Sequence, residues 1–246
     1  MRLVPYDTVK GDKHMKRILI LAVLLAGLTG CSSVRQAQEG KSCGKMEPLL
    51  VLSYASMDQA AQLNCLTAEL KAVGIALQKY AGDHGGRLPP RLSVLVSESY
   101  LTAGSLVSSA DPTGGKEGGV PDSYSDWGQA TEADESGSSY LYEFNAAPCK
   151  WDWKSYLGGK PSPTDVDTNR DGIVSWSEIK NWQLLHGDVT QQPQNKPYDK
   201  SRFPVVRCYW YQYPTAYTTP PGRTVLNLAA DLQTVFLSQP WWEKDQ

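Results

Sequence analysis

Asp167, Asn169 and Asp171 alternate along the chain, and Gly172, Ile173, Ser175 and Glu178 follow at the sixth, seventh, ninth and twelfth places counted from Asp167. Alternate residues of a tightly wound loop face inward together, so the side-chain oxygens of Asp167, Asn169 and Asp171 would converge on one point. Ile173, Ser175 and Glu178 carry further oxygens, in a backbone carbonyl, a hydroxyl and a carboxylate. A donor set of hard oxygens, about six to eight in number, suits calcium. Gly172 sits where such a winding needs its sharpest turn. Asp165, just ahead of the loop, is placed for an outer contact.

The spacing resembles the EF-hand calcium loop at every ligand position, and that resemblance implies a carbonyl ligand at Ile173, a direct or water-bridged contact at Ser175, two closing oxygens from Glu178 and a short β contact at Val174. The segment Ser177 to Gly187 reads as the exit helix, with Ile179, Trp182 and Leu185 on one side and Gly187 as its stop. The entering side, Gly158-Gly159-Lys160-Pro161-Ser162-Pro163, is unsuited to a regular helix. With one loop and half of the usual flanks, the segment is similar to the extracellular dockerin-type calcium modules rather than to paired regulatory sensors. An affinity of about 10⁻⁴ to 10⁻³ M is then expected, and a structural role: the cation would neutralise Asp167, Asp171 and Glu178 and pin a long insertion between two strands.

Other chemistry is sparse. Of three histidines, His14 precedes the expected mature start, His84 lies in a Gly-rich turn and His186 at a predicted helix end, where its cation suits the helix dipole. No phosphate loop, His-Glu-x-x-His or Ser-elbow pattern occurs, so the chain is expected not to be an enzyme. The one catalytic candidate, ranked below a binding role, is a carboxylate pair for hydrolysis drawn from Asp122, Asp126, Glu132, Asp134 and Glu135. A rival binding role, for glycan or peptidoglycan, rests on Trp127, Trp151, Trp153, Trp176, Trp182, Trp210, Trp241 and Trp242, whose faces would stack on sugar rings if exposed in a row. With 24 basic and 26 acidic residues dispersed among each other, the chain has no basic stripe and no nucleic-acid partner is expected.

The N-terminus carries a different kind of site. Lys16-Arg17 is followed by an apolar or small run from Ile18 to Gly30, then Cys31. A membrane span needs about 20 residues, whereas this order fits the h-region of a secretory signal. Leu28-Thr29-Gly30-Cys31 resembles the bacterial lipobox, which implies cleavage before Cys31 and lipidation of its thiol and amine. Residues 1–30 are thus read as signal peptide with Met15 the expected start, and 31–47 as a lipidated polar tether. By the same resemblance Ser32, rather than Asp, favours the outer membrane facing the periplasm. Cys43, Cys65, Cys149 and Cys208 remain, an even number for an oxidising compartment, so they are disulfide candidates with three possible pairings.

These sites require elements to hold them. From about Pro48 to Tyr80 the apolar residues Leu63, Leu66, Leu70, Val73, Leu77 and Tyr80 recur at intervals of three and four, which predicts one long amphipathic helix ended by Gly82-Asp83-His84-Gly85-Gly86. A second helix is expected over Arg91–Leu101. Residues 102–138 read as loop. Strand signals cover Ser139–Phe144, Pro204–Tyr211, Thr224–Leu228 and Gln233–Leu237. Helix first and antiparallel strands after is an α+β order, in one domain over 48–246 with the calcium-loop insertion at 161–190.

Cys65 to Leu70, Ala76 to Ala81 and Gly86-Arg87-Leu88-Pro89-Pro90, with Ser138 to Tyr142, Val206 to Trp210 and Val225 to Asp231, resemble the type II secretion pseudopilins, a prepilin-like family. The resemblance implies a pilin-like fold, a long N-terminal helix packed on a small antiparallel sheet. Asp126-Trp127-Gly128 is similar to a loop near the calcium site of the major pseudopilins. The chain departs from the family in three places. A lipobox stands in place of the membrane helix and prepilin cleavage site, Tyr211 stands where His often follows the Arg-Cys strand, and the usual Asp-Gly hairpin reads Asp231-Leu232. The fold is carried over and the assembly role is not. The expected function is that of a calcium-binding envelope lipoprotein, a structural or interaction module whose partner is the membrane through its anchor and an envelope protein or glycan.

Overall fold

The computed structural model describes residues 54–119, 137–150, 152–159, 161–190, 196–211, 224–240 and 242–245. The long helix, α1, runs Gln59–Asp83. It starts later than the periodicity suggests because Asp58 has an extended backbone and its carboxylate accepts from the Ala61 N–H at 2.8 Å, an N-cap. At the other end the Gly86 N–H bonds back to the Ala81 carbonyl at 2.7 Å, with Gly85 and Gly86 both at positive φ. The stripe is as spaced: Leu66, Leu70, Val73, Leu77 and Tyr80 are buried, and Leu63 is half-buried at its edge.

The second helix, α2, covers only Ser93–Ser97. Ser99 takes φ 65, and the N–H groups of Tyr100 and Leu101 both return to the Leu95 carbonyl, closing the helix four residues before the expected end at Leu101. A short 3₁₀ turn, Ala103–Leu106, follows.

Four strands, β1 Leu141–Tyr142, β2 Pro204–Cys208, β3 Val225–Ala229 and β4 Val235–Ser238, form one antiparallel sheet in chain order. β1 pairs Leu141 with Arg207 and Tyr142 with Val206, and is shorter than its apolar run because only these two residues find ladder partners. β3 and β4 form a hairpin from Val225↔Ser238 to Leu228↔Val235. At its turn the Asp231 carboxylate accepts from the N–H groups of Gln233 and Thr234, and Leu232 adopts φ 59.

Helix α1 lies on this sheet through one core that joins Leu66, Leu70, Val73 and Leu77 to Phe203, Val206, Cys208, Leu226 and Leu228. The approach is close at Gly74, where an added Cβ would lie 2.6 Å from the Leu232 carbonyl oxygen. The architecture is α+β, with a small four-stranded antiparallel sheet. Between β1 and β2 in the chain come three short helices, α3 Trp153–Tyr156, α4 Pro163–Val166 and α5 Trp176–His186. Trp153, Leu157, Val166 and Ile179 give this insertion a core of its own. Among the described residues no helix is long and apolar enough to cross a membrane.

The expected disulfides are not made among Cys65, Cys149 and Cys208. Cys65 Sγ lies 3.6 Å from Ser109 Oγ, and the Cys208 thiol donates to Ser108 Oγ at 3.8 Å. Cys149 borders the insertion's core instead. Burial pushes the Cys208 thiol up to about 12, so it stays protonated. Cys43 and Cys31 lie outside the described residues.

Candidate metal centre

The loop from Asp167 to Glu178 connects α4 to α5. Its entry is one helical turn, where the sequence suggested none: Pro163 occupies the first helical position, which tolerates proline, and Ser162 and Asp165 form a capping box. Asp165 therefore turns back, its Oδ2 accepting from the Ser162 N–H and Oγ at 2.8 Å. The outer contact expected of Asp165 is replaced by this cap.

Inside the loop the carboxylates organise the backbone. Asp167, buried, accepts from the Arg170 N–H at 2.7 Å through Oδ1 and from the Gly172 N–H at 2.9 Å through Oδ2. The chain thus winds around its side chain, and Gly172 at φ 83 and Arg170 at φ 61 make the two tight bends. Asn169 Oδ1 accepts from the Asp171 N–H at 2.9 Å, and Asp171 Oδ1 from the Ile173 N–H at 2.7 Å. The Asn169 and Asp171 side chains meet at 3.1 Å and are exposed, as is Ile173.

Glu178 closes the loop. Its Oε1 accepts from the Thr168 N–H at 2.9 Å, the Thr168 hydroxyl at 3.1 Å and the Asn169 N–H at 3.3 Å, across ten residues of chain. Its Oε2 accepts from the N–H and hydroxyl of Ser175, which in turn receives the Glu178 N–H, the capping box that starts α5. Burial opposes its charge, but the bonds from Ser175, Asn169 and Thr168 outweigh it, and the carboxyl titrates below its usual range.

The short β contact expected at Val174 has a partner. The Cys149 N–H donates to the Val174 carbonyl at 2.9 Å, the Trp176 N–H to Ala147 at 3.1 Å and the Ser177 N–H to Asn145 at 2.9 Å. Residues 145–149, a short way after β1, supply this pairing. Nothing in that short stretch marked it as a partner. Trp176 then packs with Leu141 and Val225 of the sheet and with Tyr209, the residue after β2.

The predicted ligands Asp167, Asn169, Asp171, Ile173, Ser175 and Glu178 thus share one wound loop, all-oxygen in its donors. Their carboxylates point at backbone N–H groups and at neighbours. Among the described residues no group of three or more His, Cys, Asp or Glu side chains converges as a ready-made metal site. Full coordination would require Glu178 and Asp171 to exchange some of these hydrogen bonds for the cation.

Of the aromatic and acidic alternatives, Trp153, Trp176, Trp210 and Trp242 are buried, and Trp182 is half-buried against His186. Among the described residues no row of exposed indoles is presented. Trp127, Trp151 and Trp241 lie outside them, as do Asp122, Asp126, Glu132, Asp134 and Glu135.

A buried ionic chain behind α5 was not anticipated. Lys180 Nζ is 3.3 Å from Glu143 Oε2 and 3.9 Å from Glu243 Oε1, and Arg207 Nη1 donates to Glu143 Oε1 at 3.1 Å. Arg207 also donates through Nε to Asn227 Oδ1 at 3.0 Å and through Nη2 to the Pro240 carbonyl at 2.7 Å. Burial alone would raise the Glu143 carboxyl, but Lys180 and Arg207 together hold it below its usual range.

Residues 15–32 match the prokaryotic membrane lipoprotein lipid attachment site. No curated protein and no solved structure matches the chain. The matched segment contains Cys31 and the apolar run before it. The chain is a bacterial lipoprotein, held in the cell envelope by a lipid anchor.

Proposed function

We propose that this lipoprotein is a calcium-binding module of pilin-like fold, acting in the outer membrane as a structural or interaction component rather than as an enzyme. The observation that carries the calcium reading is the winding of the 167–178 loop around Asp167, with Glu178 reaching back across it to Thr168 and Asn169. All six candidate ligands offer oxygen, the donor a hard cation takes. The pilin-like reading is supported by the long helix α1 laid along a sheet of four antiparallel strands. The outer-membrane reading rests on Ser32 after the lipidated Cys31.

The loop's place in the chain suits a structural role. It is an insertion between β1 and β2, with a small core and three backbone hydrogen bonds to residues 145–149. Calcium would offset the repulsion of Asp167, Asp171 and Glu178 and hold the insertion in one shape. The test is thermal melting and limited proteolysis of the mature lipoprotein with calcium, with magnesium and with chelator. Millimolar calcium is expected to raise the melting temperature and protect residues 161–187, because a ligand of the folded state stabilises it by mass action. Magnesium is expected to do so poorly, since it demands a tighter octahedron. Identical melting and cleavage in all three conditions would refute the reading.

A further inference from the structure

The first turn of α5 has little freedom. Trp176, Glu178, Ile179 and Lys180 are all buried, with only Ser177 half-exposed between them. The turn that carries the proposed closing ligand, Glu178, therefore also carries a lysine sealed from solvent, 3% exposed. A buried ammonium is costly unless compensated. Here it is compensated by two carboxylates from distant parts of the chain: Glu143, just after β1, and Glu243, in the 3₁₀ turn Trp242–Asp245. Its Nζ also lies 5.6 Å from the Trp242 ring centre. Glu243 is further held by the Tyr156 hydroxyl of α3, and Trp242 packs edge-on against Tyr198 and Phe203.

We propose that Lys180 couples cation occupancy of the 167–178 loop to the docking of the Trp242–Asp245 segment on the sheet, so that the two sites stabilise each other. This rests on the calcium reading above and adds what it does to the rest of the fold. A cation would take over oxygens of Glu178 that now accept from Thr168, Asn169 and Ser175 and so bear on the turn that Ser175 begins, and Lys180 sits two residues further along the same helix. The lysine contacts both Glu243 and Trp242. Glu143 ties the same ammonium to Arg207 of β2, which reaches Asn227 of β3 and the Pro240 carbonyl. The loop, the sheet and the stretch after β4 thus share one chain of buried contacts. Coupling between two binding or docking events is reciprocal, and commonly amounts to about 5- to 150-fold in an equilibrium constant.

The experiment is amide hydrogen exchange of the mature lipoprotein in detergent, with and without millimolar calcium, read at residues 239–245 and at the loop. Calcium binding is followed by calorimetry in parallel. In the wild type, calcium is expected to slow exchange at 239–245 about fivefold or more. Lys180→Met keeps a long apolar stem and is expected to bind calcium at the loop, while its 239–245 exchange no longer responds. Glu243→Gln, which leaves Lys180 paired with Glu143, serves the same purpose if the lysine variant does not fold. Glu178→Ala is expected to lose both the calcium heat and the response. Wild-type protein without calcium heat would overturn the site reading itself. Calcium heat with unchanged exchange at 239–245, or an undiminished response in Lys180→Met and Glu243→Gln, would overturn the coupling alone.

Discussion

Replacing Gly74 with Ala tests how closely α1 rests on the β3–β4 hairpin. The new methyl would meet the Leu232 carbonyl oxygen at 2.6 Å and the two Leu228 methyls at 3.2 and 3.3 Å. The leucine methyls can rotate away, but the oxygen belongs to a turn whose Leu232 is already at φ 59 and which accepts Gln78 Nε2 at 3.2 Å. Relief therefore requires helix and hairpin to separate. Alanine would contribute about 1 kcal/mol in helix propensity, against about 1 to 3 kcal/mol for overpacking. The rigid backbone contact places the cost at the upper end, so a net loss of about 1 to 2 kcal/mol is expected, a fall of about 2 to 8 °C in melting temperature for a domain of this size. Gly82→Ala, in the last turn of the same helix with no atom within 4 Å, should instead gain about 0.5 to 1 kcal/mol. Urea and thermal unfolding of the two variants beside the wild type give the answer. A Gly74→Ala protein at least as stable as the wild type, with Gly82→Ala stabilised as expected, would show that the hairpin does not bear on the helix at this point.

Leu70, with no exposed surface in the middle of the α1 stripe, should cost about 2 to 5 kcal/mol when cut to alanine, and an unchanged unfolding midpoint would remove the helix from the core. Glu143→Gln leaves Lys180 and Arg207 under-compensated and should cost about 3 to 5 kcal/mol near neutral pH. Because the folded Glu143 titrates below its ordinary 4.5, its contribution is complete above that value and is lost as pH falls through the folded pKa. The variant's stability should therefore fall less steeply than the wild type's below pH 4.5, and parallel acid limbs would contradict the assignment. Mass spectrometry of the protein purified from membranes should find Cys31 as the first residue and acylated, and an unmodified Cys31 or a retained 18–30 run would contradict the anchor.

What the sequence made legible was periodic or patterned. The three-and-four spacing of Leu66, Leu70, Val73 and Leu77 located α1 and its buried face, and four apolar runs located the strands, though not their paired lengths. The twelve-residue oxygen pattern located the loop, and Lys16-Arg17 with the apolar run located the lipidation site. What escaped was decided by local backbone geometry or by single contacts between distant positions. Asp58 and Ser99 set helix ends through local backbone geometry that periodicity does not report. Leu232 holds a left-handed conformation that a glycine would have advertised. The pairing of Val174 with Cys149 and the chain from Arg207 through Glu143 to Lys180 and Glu243 join residues up to 64 apart, with no spacing rule to reveal them. Disulfides were inferred from compartment and parity, and the positions of Cys65 and Cys208 beside Ser109 and Ser108 are a matter of packing that neither argument reaches.

We propose that the 167–178 loop binds calcium through Asp167, Asn169, Asp171, the Ile173 carbonyl, Ser175 and Glu178. Calorimetric titration of the mature lipoprotein with calcium, beside Glu178→Ala, tests it most directly. One site is predicted, with a dissociation constant of about 10⁻⁴ to 10⁻³ M, its heat absent in Glu178→Ala, which lacks both closing oxygens. A wild type that gives no heat at several times that concentration (about 10⁻² M), or one indistinguishable from Glu178→Ala, would mean that the loop is a hydrogen-bonded turn and nothing more.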